Sequence, residues 1–220
     1  FEGFILSHTY EIVDIPEQNE IDRFLLPPQV PRDCLDVENP CLFGGTTDFY
    51  INFRYKMFEE MERAKIICQE CDARFQEMFG RGYGLIQSYL CKDADLILVT
   101  AGTLAGTCCV AADQYRERGL KVGVLRIRLF RPFPAERVRL ALGKAKKVVV
   151  IDRDFSPGCG GIFAQEIKSA LQGMRERLPV YEFIVGLGGK DVTDEDIGRA
   201  IDQTYQDPEP GGVTWIGLLK

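Results

Sequence analysis

The spacing of hydrophobic and polar positions changes twice along the chain. Residues 1–48 hold no sustained period, because Pro16, Pro27, Pro28, Pro31 and Pro40 interrupt it. One short helical turn fits near residues 17–24. From residue 48 to residue 79 the apolar positions fall three or four apart. Phe49, Phe53, Met57, Met61, Ala64, Ile67, Cys68, Cys71 and Phe75 make one stripe, which predicts a long helix. Asp48 is placed to cap its start, and Gly80 and Gly82 to stop it.

From Asp95 onward, short apolar runs alternate with helical stretches. Leu96-Ile-Leu-Val99 reads as a strand buried on both faces, followed by a helix that opens at Gly102-Thr103 and closes at Gly119. Residues 121–127 and 147–151 read as further strands, with a helix over 134–142 between them. A helix over 162–171, a strand over 180–185 and a helix after Thr193 complete the series. Thr193 and the acidic run Asp194-Glu-Asp196 mark that last helix start. The alternation predicts an α/β domain of three layers with a mostly parallel sheet. Its organisation is a connector over 1–48, a linking helix and turn over 49–94, and the α/β domain over 95–220. Crossovers of one hand should gather Gly102, Arg131, Asp152 and Gly186 on a single rim.

Composition narrows the classes. A formal net charge of −6 argues against a nucleic-acid surface, and no apolar run is long enough to span a membrane. The start Phe1-Glu-Gly-Phe-Ile-Leu6 has no basic region or cleavage site, and it reads as entry into a longer polypeptide. Eight cysteines without a secretion signal are expected to be reduced thiols of a cytoplasmic protein.

Candidate chemistry is sparse. His8 is the one histidine and reads as a structural residue, so a histidine-based metal site is excluded. Cys68-Gln-Glu-Cys71 matches a redox spacing but falls in mid-helix, and with Cys108-Cys109 it is expected to serve packing. Thr100-Ala-Gly-Thr-Leu-Ala-Gly106 resembles a strand-to-helix anion loop without matching a nucleotide fingerprint. Gly102 there suits a tight turn, and Gly106 a close helix–sheet approach. Ser156-Pro-Gly-Cys-Gly-Gly161 carries amides near another helix start. The anion-loop candidates are therefore Gly102, Thr103, Gly160 and Gly161. Arg126, Arg128 and Arg131, among Phe130, Pro132 and Phe133, suit either an acidic ligand or a protein contact. No catalytic residue and no metal ligand is assigned.

Leu129-Phe-Arg-Pro-Phe-Pro134, Val150-Ile-Asp-Arg153, Gly186-Leu-Gly-Gly-Lys-Asp-Val-Thr193 and Trp215-Ile-Gly-Leu218 resemble the α subunits of 2-oxoacid:ferredoxin oxidoreductases of the pyruvate type. Gly3-Phe-Ile-Leu-Ser-His8, Val13-Asp-Ile-Pro16, Phe24-Leu-Leu-Pro-Pro28 and Phe79-Gly-Arg-Gly-Tyr83 are similar in order and spacing. The resemblance implies a domain similar to the transketolase C-terminal domain, preceded by the connector from a pyrimidine-binding domain. It implies a complex that converts a 2-oxoacid, coenzyme A and oxidised ferredoxin to acyl-CoA, CO₂ and reduced ferredoxin. Thiamine diphosphate, magnesium and iron–sulfur clusters are expected in that complex and none in this chain. The expected partners are β, γ and δ subunits, with ferredoxin and CoA acting on the whole assembly. Arg131 and Phe133 become the interface candidates, and the chain's expected role is structural. The alternatives are a module that binds CoA or nucleotide phosphate through the glycine loops, and an independent enzyme of another class.

Overall fold

The computed structural model describes residues 13–25, 47–174 and 177–218. These form two compact units, one within Glu11–Gly82 and one that includes Tyr83–Lys220. The first unit pairs a short helix, α1 (Gln18–Phe24), with the long helix α2 (Thr47–Phe79). Glu17 and Glu20 close a capping box at the start of α1. The ring of Phe24 meets Phe75 and Phe79 edge-on, and Arg81 reaches the backbone and carboxylate of Asp14. Gly80 adopts φ +69°, a conformation that costs glycine little and ends α2.

The stripe expected on α2 is only partly covered. Phe53, Ala64, Cys68 and Phe75 are half-buried, whereas Met57, Met61 and Ile67 are exposed, and so is Cys71. Packing therefore does not explain Cys71. A second ridge, unforeseen in the sequence, runs through Ile51, Tyr55 and Phe58, which are 68%, 59% and 63% exposed. These positions lie at i, i+4 and i+7 and share one side of the helix.

The second unit is a six-stranded sheet between two pairs of helices. Its elements are β1 (Ile86–Tyr89), β2 (Leu96–Ala101), α3 (Leu104–Glu117), β3 (Val122–Ile127), α4 (Ala135–Leu142), β4 (Lys147–Asp152), α5 (Ile162–Leu171), β5 (Val180–Ile184), α6 (Asp194–Gln206) and β6 (Thr214–Trp215). The strand order is β1-β3-β2-β4-β5-β6. Only β1 runs antiparallel, pairing Ile86 with Ile127 through Tyr89 with Val124. The α/β three-layer expectation holds, and β1 and β6 are edge strands that the apolar pattern was too short to reveal.

Alternate residues of the inner strands face opposite helical layers. Leu96, Leu98, Val122, Val124, Val149, Ile151 and Phe183 pack under α3 and α6. Ile97, Val99, Leu125, Ile127, Val148, Val150 and Val180 pack under α4 and α5. Because both faces are covered, the strands read as unbroken apolar runs. Gly123 is needed here, since a Cβ would lie 2.8 Å from the carbonyl oxygen of Leu90. Thr193 caps α6 through the amide of Asp196, as its sequence suggested.

Phe183 is fully buried between the sheet and the α3–α6 layer. Phe183→Ala is expected to lower unfolding stability by about 3–5 kcal/mol in urea titrations, the range for a large buried ring. A loss below about 1 kcal/mol would contradict this packing.

Candidate functional site: the carboxyl-end rim

The crossovers after β2 and β4 lie on opposite faces. The chain leaves β2 through α3 and leaves β4 through α5, so a crevice opens between the carboxyl ends of these neighbouring strands. Thr100, Ala101, Leu104, Ile151, Arg153, Asp154 and Phe163 line it, and its volume is about 140 Å³. The Thr100 hydroxyl donates to the Ile151 carbonyl at 3.0 Å and is not directed to a ligand.

At the amino end of α5, two buried acids come together. Asp152 ends β4 and is 0% exposed; Glu182, in β5, is 6% exposed. Glu182 is registered against Val150, so both side chains emerge on the α5 face. The first amides of α5 donate to carboxylates without exception. Gly161 donates to Glu182 at 2.6 Å and Ile162 to Asp154 at 2.8 Å. Phe163 and Ala164 donate to the two oxygens of Asp152 at 3.2 and 3.0 Å. The four amides that every helix leaves unpaired at its start are thus all satisfied. Lys168, one turn further on, donates to Glu182 at 2.6 Å.

Gly160 and Gly161 follow from this contact. A Cβ at Gly160 would lie 2.3 Å from an oxygen of Glu182, and one at Gly161 only 2.0 Å from an oxygen of Asp152. Gly160 also takes φ +95°. The amides suggested as an anion site find their anions inside the protein, and the glycines let backbone approach those anions. Burial pushes the Asp152 carboxyl up to about 7; the Ala164 and Phe163 amides oppose that rise, and the nearby Asp154 and Glu182 add to it.

The other half of the proposed anion site is different. Gly102, at φ +64°, makes the turn into α3 as expected, and Gly102 and Thr103 are exposed on the rim. The reading of Gly106 changes: it is exposed, and a Cβ there would meet nothing within 4 Å, so close packing does not require it.

The arginines do not converge. Arg126 lies on the α3 side near Cys109, whereas Arg131 pairs with Glu166 of α5 at 2.5 Å. Arg128 sits over the ring of Tyr83, 4.6 Å from its centre. Arg131 is half-exposed and stacks on Phe130, whose ring also contacts Phe163. Phe133 packs against the core beneath α4 and α5. Of the two interface candidates, Arg131 presents the more accessible surface.

Cys108, on α3, is buried in the core, which pushes its thiol pKa well up and leaves it unreactive. Among the described residues no three Cys, His, Asp or Glu side chains converge to hold a metal, so an iron–sulfur ligand set does not fit them. Cys34, Cys41 and His8 lie outside the described residues. A wider cavity, about 550 Å³, lies at the opposite end of the sheet, at the amino end of β5 near Leu171, Leu178 and Val180. Its Lys168 is engaged by Glu182. No described helix is long and apolar enough to cross a membrane.

Gly161→Ala is expected to destabilise the chain by about 2–4 kcal/mol, because the methyl group meets the Asp152 carboxylate, which two backbone amides hold in place. Gly106→Ala is expected to add about 0.5–1 kcal/mol, the usual gain in an exposed helix. Thermal melts of the two variants compare these directly, and equal effects would contradict the geometry.

Comparison with known proteins gives the rim its context. The domain family described as pyruvate:ferredoxin oxidoreductase core domain II matches residues 94–197. The chain is 44% identical to pyruvate synthase subunit PorA of Methanothermobacter thermautotrophicus over 100% of its own length and 56% of that protein. It is 41% identical to ketoisovalerate oxidoreductase subunit VorA of Pyrococcus horikoshii, over 99% of this chain and 57% of that one. A solved 2-oxoglutarate:ferredoxin oxidoreductase from Magnetococcus marinus is 22% identical, with a TM-score of 0.44 over 55% of this chain and 20% of that one. The chain spans a little over half the length of the curated relatives it matches. From the domain match and the full-length likeness to these subunits, the chain belongs to the α-subunit family of the 2-oxoacid:ferredoxin oxidoreductases.

Proposed function

We propose that this chain is a structural and assembly part of a thiamine-diphosphate-dependent 2-oxoacid:ferredoxin oxidoreductase of the pyruvate type. The exposed ridge Ile51–Tyr55–Phe58 on α2 is the observation that carries this reading. Large side chains aligned on one helix face and left in water are the mark of a contact surface. The groups at the start of α5 support the same reading, since its acids and amides satisfy one another. On this proposal the β, γ and δ subunits, or equivalent domains, supply the thiamine, magnesium and cluster sites. Ferredoxin and CoA act on the assembled enzyme in the cytoplasm. The organisation into connector, linking helix and α/β domain belongs to the same proposal. Arg131 and Phe133 stay as candidate contact residues, with Arg131 the better probe because Phe133 also supports the core.

A second reading rests on Gly102 and Thr103. They stand exposed beside the β2–β4 crevice at the start of α3, the usual place for a phosphate in such sheets. Here the chain would bind a CoA or nucleotide phosphate, and calorimetry with CoA separates the two readings. Flat heats remove the second.

Replacing Ile51, Tyr55 and Phe58 together by Glu is expected to cut co-purification with the β subunit at least tenfold. The fold of the sheet domain should be unchanged by circular dichroism. Arg131→Ala is expected to weaken the same co-purification by a smaller factor. Undiminished assembly in both variants would count against the proposal.

A further inference from the structure

The cavity at the amino end of β5 lies at the far end of the sheet from the rim. α5 forms one wall through Lys168 and Leu171, the segment after it a second through Met174, Arg177 and Leu178, and Pro210 a third. Its volume of about 550 Å³ is that of a small-molecule site. Leu171 and Val180 are buried, and Met174 and Leu178 pack against the core under α4 and α5. The floor of the cavity is therefore apolar.

The charge that faces this space is positive. Arg177 is exposed, and its guanidinium has no partner among the described residues. Lys168 gives one of its three donors to Glu182 and keeps its side chain 49% exposed. The Glu182 carboxylate is buried and already held by that ammonium and by the Gly161 amide. A helix end would oppose an anion through its bare carbonyls, but the last four of α5 are all taken. The Gln172 amide donates to the carbonyls of Lys168 and Ser169, Arg139 donates to that of Ala170, and the Met174 amide donates to that of Leu171. Glu209, next to Pro210, is exposed and stands outside the wall.

We propose that this cavity binds a small organic acid, with its carboxylate on Arg177 and Lys168 and its apolar body on Leu171, Met174, Leu178 and Val180. A guanidinium fork matches the two oxygens of a carboxylate. Glu182 holds Lys168 in place, so less side-chain freedom is lost when an anion arrives. An apolar lining with a few fixed polar groups is the general form of a small-molecule pocket. The site shares no residue with the rim loops at Gly102 and Gly160 or with the α2 ridge, and it does not depend on assembly with other subunits.

Hexanoate is the probe; hexanol, which lacks its charge, and inorganic phosphate, which lacks its chain, are the comparison arms. Amide shifts in NMR spectra of the 220-residue chain are expected to saturate with hexanoate at residues 171–173, at Leu178 and Val180, and at Gly211, which all line the cavity. The expected Kd is on the order of 1 mM or tighter. Hexanol and phosphate should each bind about tenfold more weakly or not at all. Arg177→Ala should weaken hexanoate about tenfold, the loss of one charge-assisted hydrogen bond. Arg177→Lys should recover part of that loss. Both variants change an exposed side chain and are expected to fold. Absent or non-saturating shifts, shifts confined to other residues, equal binding of hexanol or phosphate, or an unchanged Kd in Arg177→Ala would each overturn the proposal.

Discussion

The start of α5 resting on Asp152 and Glu182 is the contact on which the rim of this domain depends. A helix that begins against a sheet brings four unpaired amides into a place that water reaches poorly. Here the end of β4, the middle of β5 and the loop after β4 provide three carboxyl groups for those amides. The acids would be costly to bury alone, and so would the amides. Together they fix how far α5 stands from β4 and β5, and this spacing leaves no room for a side chain at Gly160 or Gly161.

Much of the sheet was legible because its inner strands are covered on both faces. The apolar runs at 96–99 and 148–151 are unbroken, the one at 180–185 is broken only by Glu182, and the structure places β2, β4 and β5 there. The boundaries of α5 and the cap of α6 followed from Gly161 and Thr193. The short edge strands carried no such signal: β1 exposes Gln87, Ser88 and Tyr89, and β6 has two residues. A 3.6-residue period on α2 could indicate the first stripe, but it gave no sign that Met57, Met61 and Ile67 would remain exposed.

The rim was harder to read than the fold. A glycine pair before a helix has the same pattern whether its amides wait for a ligand or already hold a carboxylate. What decides is the partner, and Glu182 lies 21 residues away in sequence. The signal available was a lone acid inside an apolar strand, Val180-Tyr-Glu-Phe-Ile184, and an Asp closing another, Val148-Val-Val-Ile-Asp152. Charged residues on the buried face of a parallel strand need a partner close by, and the helix that follows is the natural one. The arginines teach the same lesson, because Arg126 lies within β3 on the α3 side whereas Arg131, in the loop beyond β3, pairs with Glu166 of α5.

Self-satisfied polar groups in the sheet domain and bare apolar residues on α2 fit a chain that supports a larger enzyme. This account stands first on the internal pairing at α5. Amide hydrogen exchange at residues 161–164, followed by NMR on the 220-residue chain at pH 6, tests it most directly. Protection comparable to that of the β2 and β4 strand amides is the expected result. Exchange at the rate of an unstructured loop would contradict the pairing, and with it the reading of this rim as closed to outside anions at α5.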